Sequence, residues 1–294
     1  MDTTVEGLSI LAEEPRRIDG IPEWFNKSRQ AGWERFQQLA MPSRKDEEWR
    51  FARLRHLNFK NVTLPNSSKE QGSRGTTGLD KCSARIAFAN DCLVERESNL
   101  PGEVICLPLL EAVEEHSELL EQYFMKAEAR LGSAKFAALH QAHVSSGVFV
   151  YVPDGVEVED PIEVSHWITE DHVVTFPHTL VVTGKNARVS VVDYFQSDAS
   201  AHGSWTIPVN ELVAGPDSQL TYLALQDLSD ESRIIQLSHT SVARDATAKS
   251  FILNCGAAWV RQESLSQLVG ENSRQHIVVV CGVTQEALPD VDLA

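Results

Sequence analysis

The stretch LVVTGKNARVSVVDY, residues 180–194, reads as strand, tight polar turn, strand. Apolar residues alternate on both sides of Gly184-Lys185-Asn186, a triplet suited to a sharp change of direction. The same plan recurs in VYVPDGVEVEDPIEV (150–164), LVAGPDSQLTYLAL (212–225), TSVARDATAKSFIL (240–253) and QLVGENSRQHIVVV (267–280). Anchored at Gly155, Gly184, Gly215, Arg244 and Gly270, the turns lie 29, 31, 29 and 26 residues apart. A period this regular predicts a solenoid, in which each rung stacks on the next and buries a shared core. Seven residues past the anchors stand Ile162, Val191, Tyr222, Phe251 and Ile277; nine past stand Val164, Asp193, Ala224, Leu253 and Val279. All but Asp193 are apolar, whereas the sixth positions, Pro161, Ser190, Thr221, Ser250 and His276, are mostly polar. Odd offsets are therefore expected to face inward. A β-sandwich with coincident spacing is the alternative.

Upstream the pattern is helical. Pro22 suits a first helical turn, and Phe25, Trp33, Phe36 and Ala40 give an apolar stripe. Met41-Pro42 interrupts it, and Ser43 with Asp46 three residues on predicts the cap of a second helix. Residues 65–79, rich in Gly and Ser, read as a flexible linker. Segment 85–96 alternates around Asn90-Asp91 like a hairpin. Residues 107–131 read as the best helix of the chain, with a shorter one at about 133–143. The expected organisation is a helical region (1–64), the linker (65–79), a mixed hairpin and helices packing on the solenoid (80–146), the β-helix core (147–283) and a tail (284–294). The fold class is mainly β with a helical N-terminal region.

The net charge of −16 is unevenly spread. Residues 1–60 are nearly balanced, with 11 Lys/Arg against 10 Asp/Glu, and residues 61–294 carry 15 against 32. So acidic a body repels phosphate backbones and anionic lipid, which argues against nucleic-acid and membrane partners. No apolar run approaches the roughly 18 residues needed to span a bilayer, and the N-terminus lacks signal-peptide features. A cytoplasmic location is expected. Five scattered cysteines, 82, 92, 106, 255 and 281, fit a reducing compartment and make no disulfide framework.

The segment PSRKDEEWRFARLRHL, residues 42–57, sets Trp49 among eight charged residues. Its Pro42, Ser43, Arg44, Lys45, Glu47 or Glu48, Trp49, Arg50 and Phe51 resemble the N-terminal signature of the SufD family, within the SufB/SufD superfamily of iron–sulfur cluster assembly proteins. Residues 136–164, 176–194 and 255–273 resemble successive rungs of that family in the same order. The resemblance implies a right-handed parallel β-helix with flanking helices. It also implies a non-catalytic scaffold that pairs with a SufB-like subunit and acts with a SufC-like ATPase. No cofactor is expected on the chain alone, with iron or an Fe–S cluster held transiently in the complex. Two departures stand out. His178 occupies a position where the family has Arg. The family's later rungs, its Cys-Ser-His-Gly-Ala-Thr-like motif and its C-terminal helical domain have no counterpart, so a C-terminally shortened member is expected.

Trp49 is expected to pack on the body while Arg44, Lys45, Glu47 and Glu48 form exposed i,i+3 and i,i+4 pairs. Cys255 and Cys281 share an offset of eleven on successive rungs, where stacking at strand spacing would set their Cα atoms about 5 Å apart as candidate metal ligands. An odd offset also suits a buried apolar role. His166, His172 and His178 recur every six residues; they read as solvent-facing loop histidines or, alternatively, as a metal-dependent enzyme's ligands. His140 and His143 are expected to pack beside Phe136 and Leu139. His239 and His276 lie in rungs with no assigned role. No Gly-x-x-x-x-Gly-Lys-Ser/Thr loop or Gly-x-Ser-x-Gly elbow occurs. A solenoid carbohydrate enzyme, the other alternative, needs a column of acids on one exposed face, and Glu157 and Glu159 read only as solvated charge flanking a turn.

Overall fold

A computed structural model describes residues 9–66, 78–127, 131–198, 201–282 and, for the backbone, 290–293. The chain opens with α1 (Glu23–Gln38). The hairpin β1 (Ala84–Ala89) and β2 (Cys92–Ser98) follows, then β3 (Ile105–Pro108), α2 (Leu109–Glu115), α3 (Ser117–Tyr123) and α4 (Ala134–His143). Five coils come next. Each has a strand in one sheet, a turn, and a strand in the other: β4 (Ser146–Val152) with β5 (Ile162–Ile168), then the two-residue β6 (Val174–Thr175) leading into β7 (Pro177–Thr183) with β8 (Arg188–Ser197). The short β9 (Trp205–Thr206) precedes β10 (Val209–Ala214) and β11 (Gln219–Asp227). Then come β12 (Arg233–Val242) with β13 (Thr247–Asn254), β14 (Trp259–Leu268) with β15 (Arg274–Cys281), and β16 (Asp290–Leu293).

Within the coils all pairing is parallel. One sheet has the order β15-β13-β11-β8-β5-β1-β2 and the other β16-β14-β12-β10-β7-β4-β3. Val150, Val164, Val181, Val191, Leu212, Leu220, Ile234 and Ile252 fill the space between them. The helices cover only the second sheet. Phe25, Leu109, Val113 and Leu120 pack on Phe149, Leu180 and Val182. Phe36 and Phe136 join Phe176, Trp205, Ile235 and Trp259. On the first sheet the outer face is buried at Glu163 and Val192 and exposed at Phe251, Val278 and Val280 of the last strands.

The predicted solenoid is present, and its true marker is the turn. Gly155, Asn186, Asp217, Asp245 and Asn272 all have positive φ, between 54° and 74°. These are the residue types that tolerate left-handed backbone. Each of the first four donates its N–H to the carbonyl one residue before the next marker: Lys185, Pro216, Arg244 and Glu271, at 2.8–3.0 Å. Turns stack so closely that a Cβ on Gly215 would lie 2.3 Å from the Thr183 carbonyl oxygen.

This alignment corrects the sequence register at one coil. Tyr222 pairs with Ser250, and Ser250 with Ile277. The fourth anchor is therefore Ala243, not Arg244. Ser250 and Ile252 point inward, and Phe251 is 38% exposed. Period-two alternation reverses faces with a one-residue slip, and the fourth turn has no glycine to mark it.

Other expectations change in detail. The second N-terminal helix is absent; Glu47–Trp49 and Leu54–His56 are single 3-10 turns. Residues 107–131 do not form one helix. Leu107 and Pro108 end β3, and α2 and α3 are separated at His116 (φ −127°, ψ 37°). The apolar stripe is nonetheless the buried one, with Leu109, Val113, Leu120 and Phe124 at most 3% exposed. The hairpin does more than pack on the solenoid: β1 pairs in parallel with β5 and extends its sheet. Residues 290–293, expected in a tail, form β16 beside β14. Most of the expected linker, residues 67–77, lies outside the described residues.

Candidate functional site

The signature segment is a surface turn with one buried residue. Backbone N–H and Oγ of Ser43 donate to Asp46 Oδ2 at 2.7 and 3.2 Å. Arg44, Lys45, Glu48 and Arg50 are exposed and Pro42 is half-buried, whereas Trp49 is 1% exposed. The Trp49 indole N–H donates to the Gly132 carbonyl at 2.9 Å. The Arg261 guanidinium lies 3.9 Å from its ring, a cation–π contact in a dry setting. Arg261 is itself buried and donates to Glu263 Oε1 at 2.8 Å and to the Leu131 carbonyl at 3.0 Å. Trp49 thus fixes the N-terminal segment to β14 across about 210 residues of chain, while its charged neighbours remain in water.

The histidines contradict both sequence readings. His166 and His178 are buried on β5 and β7, and only His172 is exposed. The three do not converge. His166 points into the solenoid between the rings of Phe88 and Phe195, at 5.2 and 5.3 Å. His178 lies on the outer, helix-covered face, where Phe124 is 4.7 Å away. Their six-residue spacing follows from strand, turn and strand in succession.

His178 belongs to a buried chain of polar groups. The Ile207 carbonyl, 2.7 Å from His140 Nδ1, can only accept, so that nitrogen carries the proton. His140 Nε2 then accepts from His178 Nδ1–H at 3.1 Å. His178 Nε2 faces Glu211 Oε2 at 3.2 Å, and that oxygen also accepts from the Met125 N–H at 2.7 Å. The His178 and Glu211 atoms are close but not aligned to bond, so the hydrogen-bonded line ends at His178. Burial, then the neighbouring His178, hold the His140 pKa well below its usual value. His143 packs beside Trp33 and Phe176, and its pKa is pushed down to about 4 by burial and then by Arg29.

A second polar group lies inside the solenoid, at the one predicted core position that was not apolar. Asp193 Oδ2 accepts from Thr179 Oγ1 at 2.6 Å and Tyr222 OH at 2.9 Å. Burial raises its pKa to about 7 against those hydrogen bonds. His166 Nε2 is 3.4 Å from Asp193 Oδ1. The two are not aligned to bond, and burial drives the His166 pKa down to about 3. Asn210 and Gln236 continue the line, with Gln236 Nε2 donating to Asn210 Oδ1 at 2.9 Å. No local pattern announces that Thr179, Asn210 and Gln236 converge, because they lie on three different coils of the opposite sheet.

The cysteines are not stacked as expected. Cys281 pairs with Asn254, so the register slip puts Cys255 one position off and exposed. Asn254 Nδ2 approaches Cys281 Sγ at 3.9 Å. Among the described residues no cluster of three or more His, Cys, Asp or Glu is arranged to hold a metal ion. His239 lies on β12 beside Glu211 and Leu265, and His276 is exposed on β15. On the first sheet, one outward column reads Glu163, Val192, Leu223, Phe251, Val278. Its single acid is bound to Arg85 at 3.1 Å, so this column is not the row of acids a carbohydrate enzyme needs.

The class defined by this architecture is a parallel two-sheet β-solenoid with a helical cover on one face. Residues 13–164 match the model of the SufBD protein N-terminal region, and residues 166–292 match the SufBD core domain of the SUF system for FeS cluster assembly. The chain belongs to the SufBD family. It is 29% identical over 221 residues to the iron–sulfur cluster assembly protein SufD of Bacillus subtilis strain 168, covering 71% of this chain and 49% of that protein. It is 22% identical over 285 residues to an iron–sulfur cluster assembly SufBD family protein of Staphylococcus aureus strain USA300, covering 90% and 60%. The chain thus spans about half the length of the curated relatives it matches. Among the described residues no helix is long and apolar enough to cross a membrane.

Proposed function

We propose that this protein is a non-catalytic scaffold subunit of a SUF-type iron–sulfur assembly complex, pairing with a SufB-like subunit and working with a SufC-like ATPase. The observation that carries this reading is the collinear match to both SufBD regions across residues 13–292, on a parallel two-sheet solenoid. Iron or the nascent cluster is cargo of the assembled complex. Cys255 and Cys281 enter this reading as separate thiols near the last coil, not as a stacked pair. The metal-enzyme alternative loses its three convergent histidines.

Co-expression with a SufB-like protein and a SufC-like ATPase, followed by size exclusion, tests the reading. A stable complex containing this chain is the expected result. Recovery of the other two as a complex that leaves this chain behind would overturn it.

A further inference from the structure

A basic cleft of this acidic protein lies between the N-terminal segment and α1. Residues 15–18 form a strap that crosses the N-terminal half of α1. Asn26 holds the strap by accepting from the Ile18 N–H at 3.1 Å and donating to the Ile18 carbonyl at 2.9 Å. Arg29 Nη1 holds it from the other side, donating to the Arg16 carbonyl at 2.8 Å. Between strap and helix is a cleft of about 230 Å³ whose charged lining is Arg16, Arg17, Lys27, Arg29 and a single acid, Glu23. That acid is engaged, since Arg17 Nη2 bonds its Oε2 at 2.6 Å.

Arg29 is the unusual member. It is 6% exposed, and its buried Nε has no hydrogen-bond partner. Among the described residues no carboxylate pairs with it. A buried guanidinium without a counter-charge is costly, and such groups are ordinarily paired. Its pKa is lowered to about 10 by burial alone, with no anion offsetting the loss of solvent. Buried His143 feels the same uncompensated charge.

The geometry points to an anion-binding site in this cleft, with Arg29 at its floor and Arg16 and Lys27 at its mouth, taking the phosphate group of a small phosphomonoester. A guanidinium fork matches phosphate oxygens bidentately. The lining carries three cations beyond those Glu23 neutralises, which suits a dianion better than a monocarboxylate. The cleft has room for a phosphate and a small organic group beside it. The inference does not depend on the scaffold reading.

Titration of the full chain with glycerol 3-phosphate and with inorganic phosphate, by calorimetry and phosphorus NMR at matched ionic strength, tests it. Saturable one-to-one binding that weakens with added salt is expected. Arg29→Gln should weaken it at least tenfold. Because Arg29 also holds the strap, the double substitution Arg16→Ala, Lys27→Ala provides an independent arm; both positions are exposed, and at least a fivefold loss is expected with the melting temperature unchanged. Tighter binding of the ester supports a phosphorylated metabolite, and equal binding supports the same site serving free phosphate. No saturable binding of either probe, or equal affinity in the double variant, would overturn the assignment.

Discussion

Asp193 stands in the inward file between Val164 and Ala224, and the solenoid keeps it there by protonating it. Unfolded, its carboxyl ionises near the ordinary 3.8; folded, near about 7. Between those values the folded state holds a proton that the unfolded state has released. Its contribution to stability therefore falls as pH rises from about 4 to about 7. His166 and His143 work in the opposite sense. Their folded values of about 3 and 4, against an ordinary 6.5, make stability rise with pH up to about 6.5. Asp193→Asn keeps an oxygen for Thr179 and Tyr222 to donate to and removes only the falling component. The variant's stability should climb more steeply between pH 4 and 7, by up to about 1.4 kcal/mol per pH unit, and should match or exceed the parent at pH 8. Denaturant melts across that range measure it; parallel profiles would refute the assignment. At this scale the sequence was half legible. Asp193 stood out as the odd residue in an apolar file, but its partners come from β7 and β11, and no local pattern announces a contact between coils.

Among the elements, the turns carry more of the fold than the strands do. Strand sequences such as VSVVDY and HIVVV serve many β architectures, whereas a left-handed Asn, Asp or Gly once per coil, bonded to the next, sets the stacking. Asp245 (φ 58°) is the marker of the turn without glycine, and its Oδ1 accepts from Asn272 Nδ2 at 3.1 Å. Asp245→Asn should be close to neutral. Asp245→Val should cost about 1–2 kcal/mol, because a β-branched side chain is poorly tolerated in left-handed backbone. Chemical denaturation of the pair distinguishes a conformational requirement from simple loss of charge. Anchoring the repeat on glycines instead of on these residues is what displaced the fourth coil by one position and led to the expectation that Phe251 faces inward. The helices show the converse. Period 3.6 picked out the buried face of 107–131 correctly, but the break at His116 is fixed by how α2 and α3 fit the sheet beneath, and periodicity does not contain that. Likewise Ser43 and Asp46 make their local hydrogen bonds without a helix following, since Trp49 is drawn down to Gly132 and Arg261.

Across the whole molecule, the two ends of the solenoid are built differently. At the first end, β2 (CLVERES) is an antiparallel edge carrying Glu95, Arg96 and Glu97, and β3 is four residues long beside α2. Short and charged edges resist adding further strands. At the other end, β15 (RQHIVVVC) is an eight-residue edge with Val278 and Val280 at 47% and 42% exposure on its outer face. Phe251 continues that apolar surface on the neighbouring strand at 38% exposure. These 294 residues on their own should therefore associate through β15 in a concentration-dependent way. Placing Lys at Val278 and Val280 puts two solvated charges on the outer face of the edge, where burial against another molecule would strip their water, and leaves Ile277 and Val279 inward. The double variant should shift the size distribution toward monomer at the same concentration, with light scattering after size exclusion as the measure. A comparable double substitution on β2, Leu93→Lys with Val94→Lys, should leave the distribution unchanged, because that edge is already guarded by its own charges. If both variants shift it equally, association runs through general surface hydrophobicity, and the solenoid has no preferred mating end.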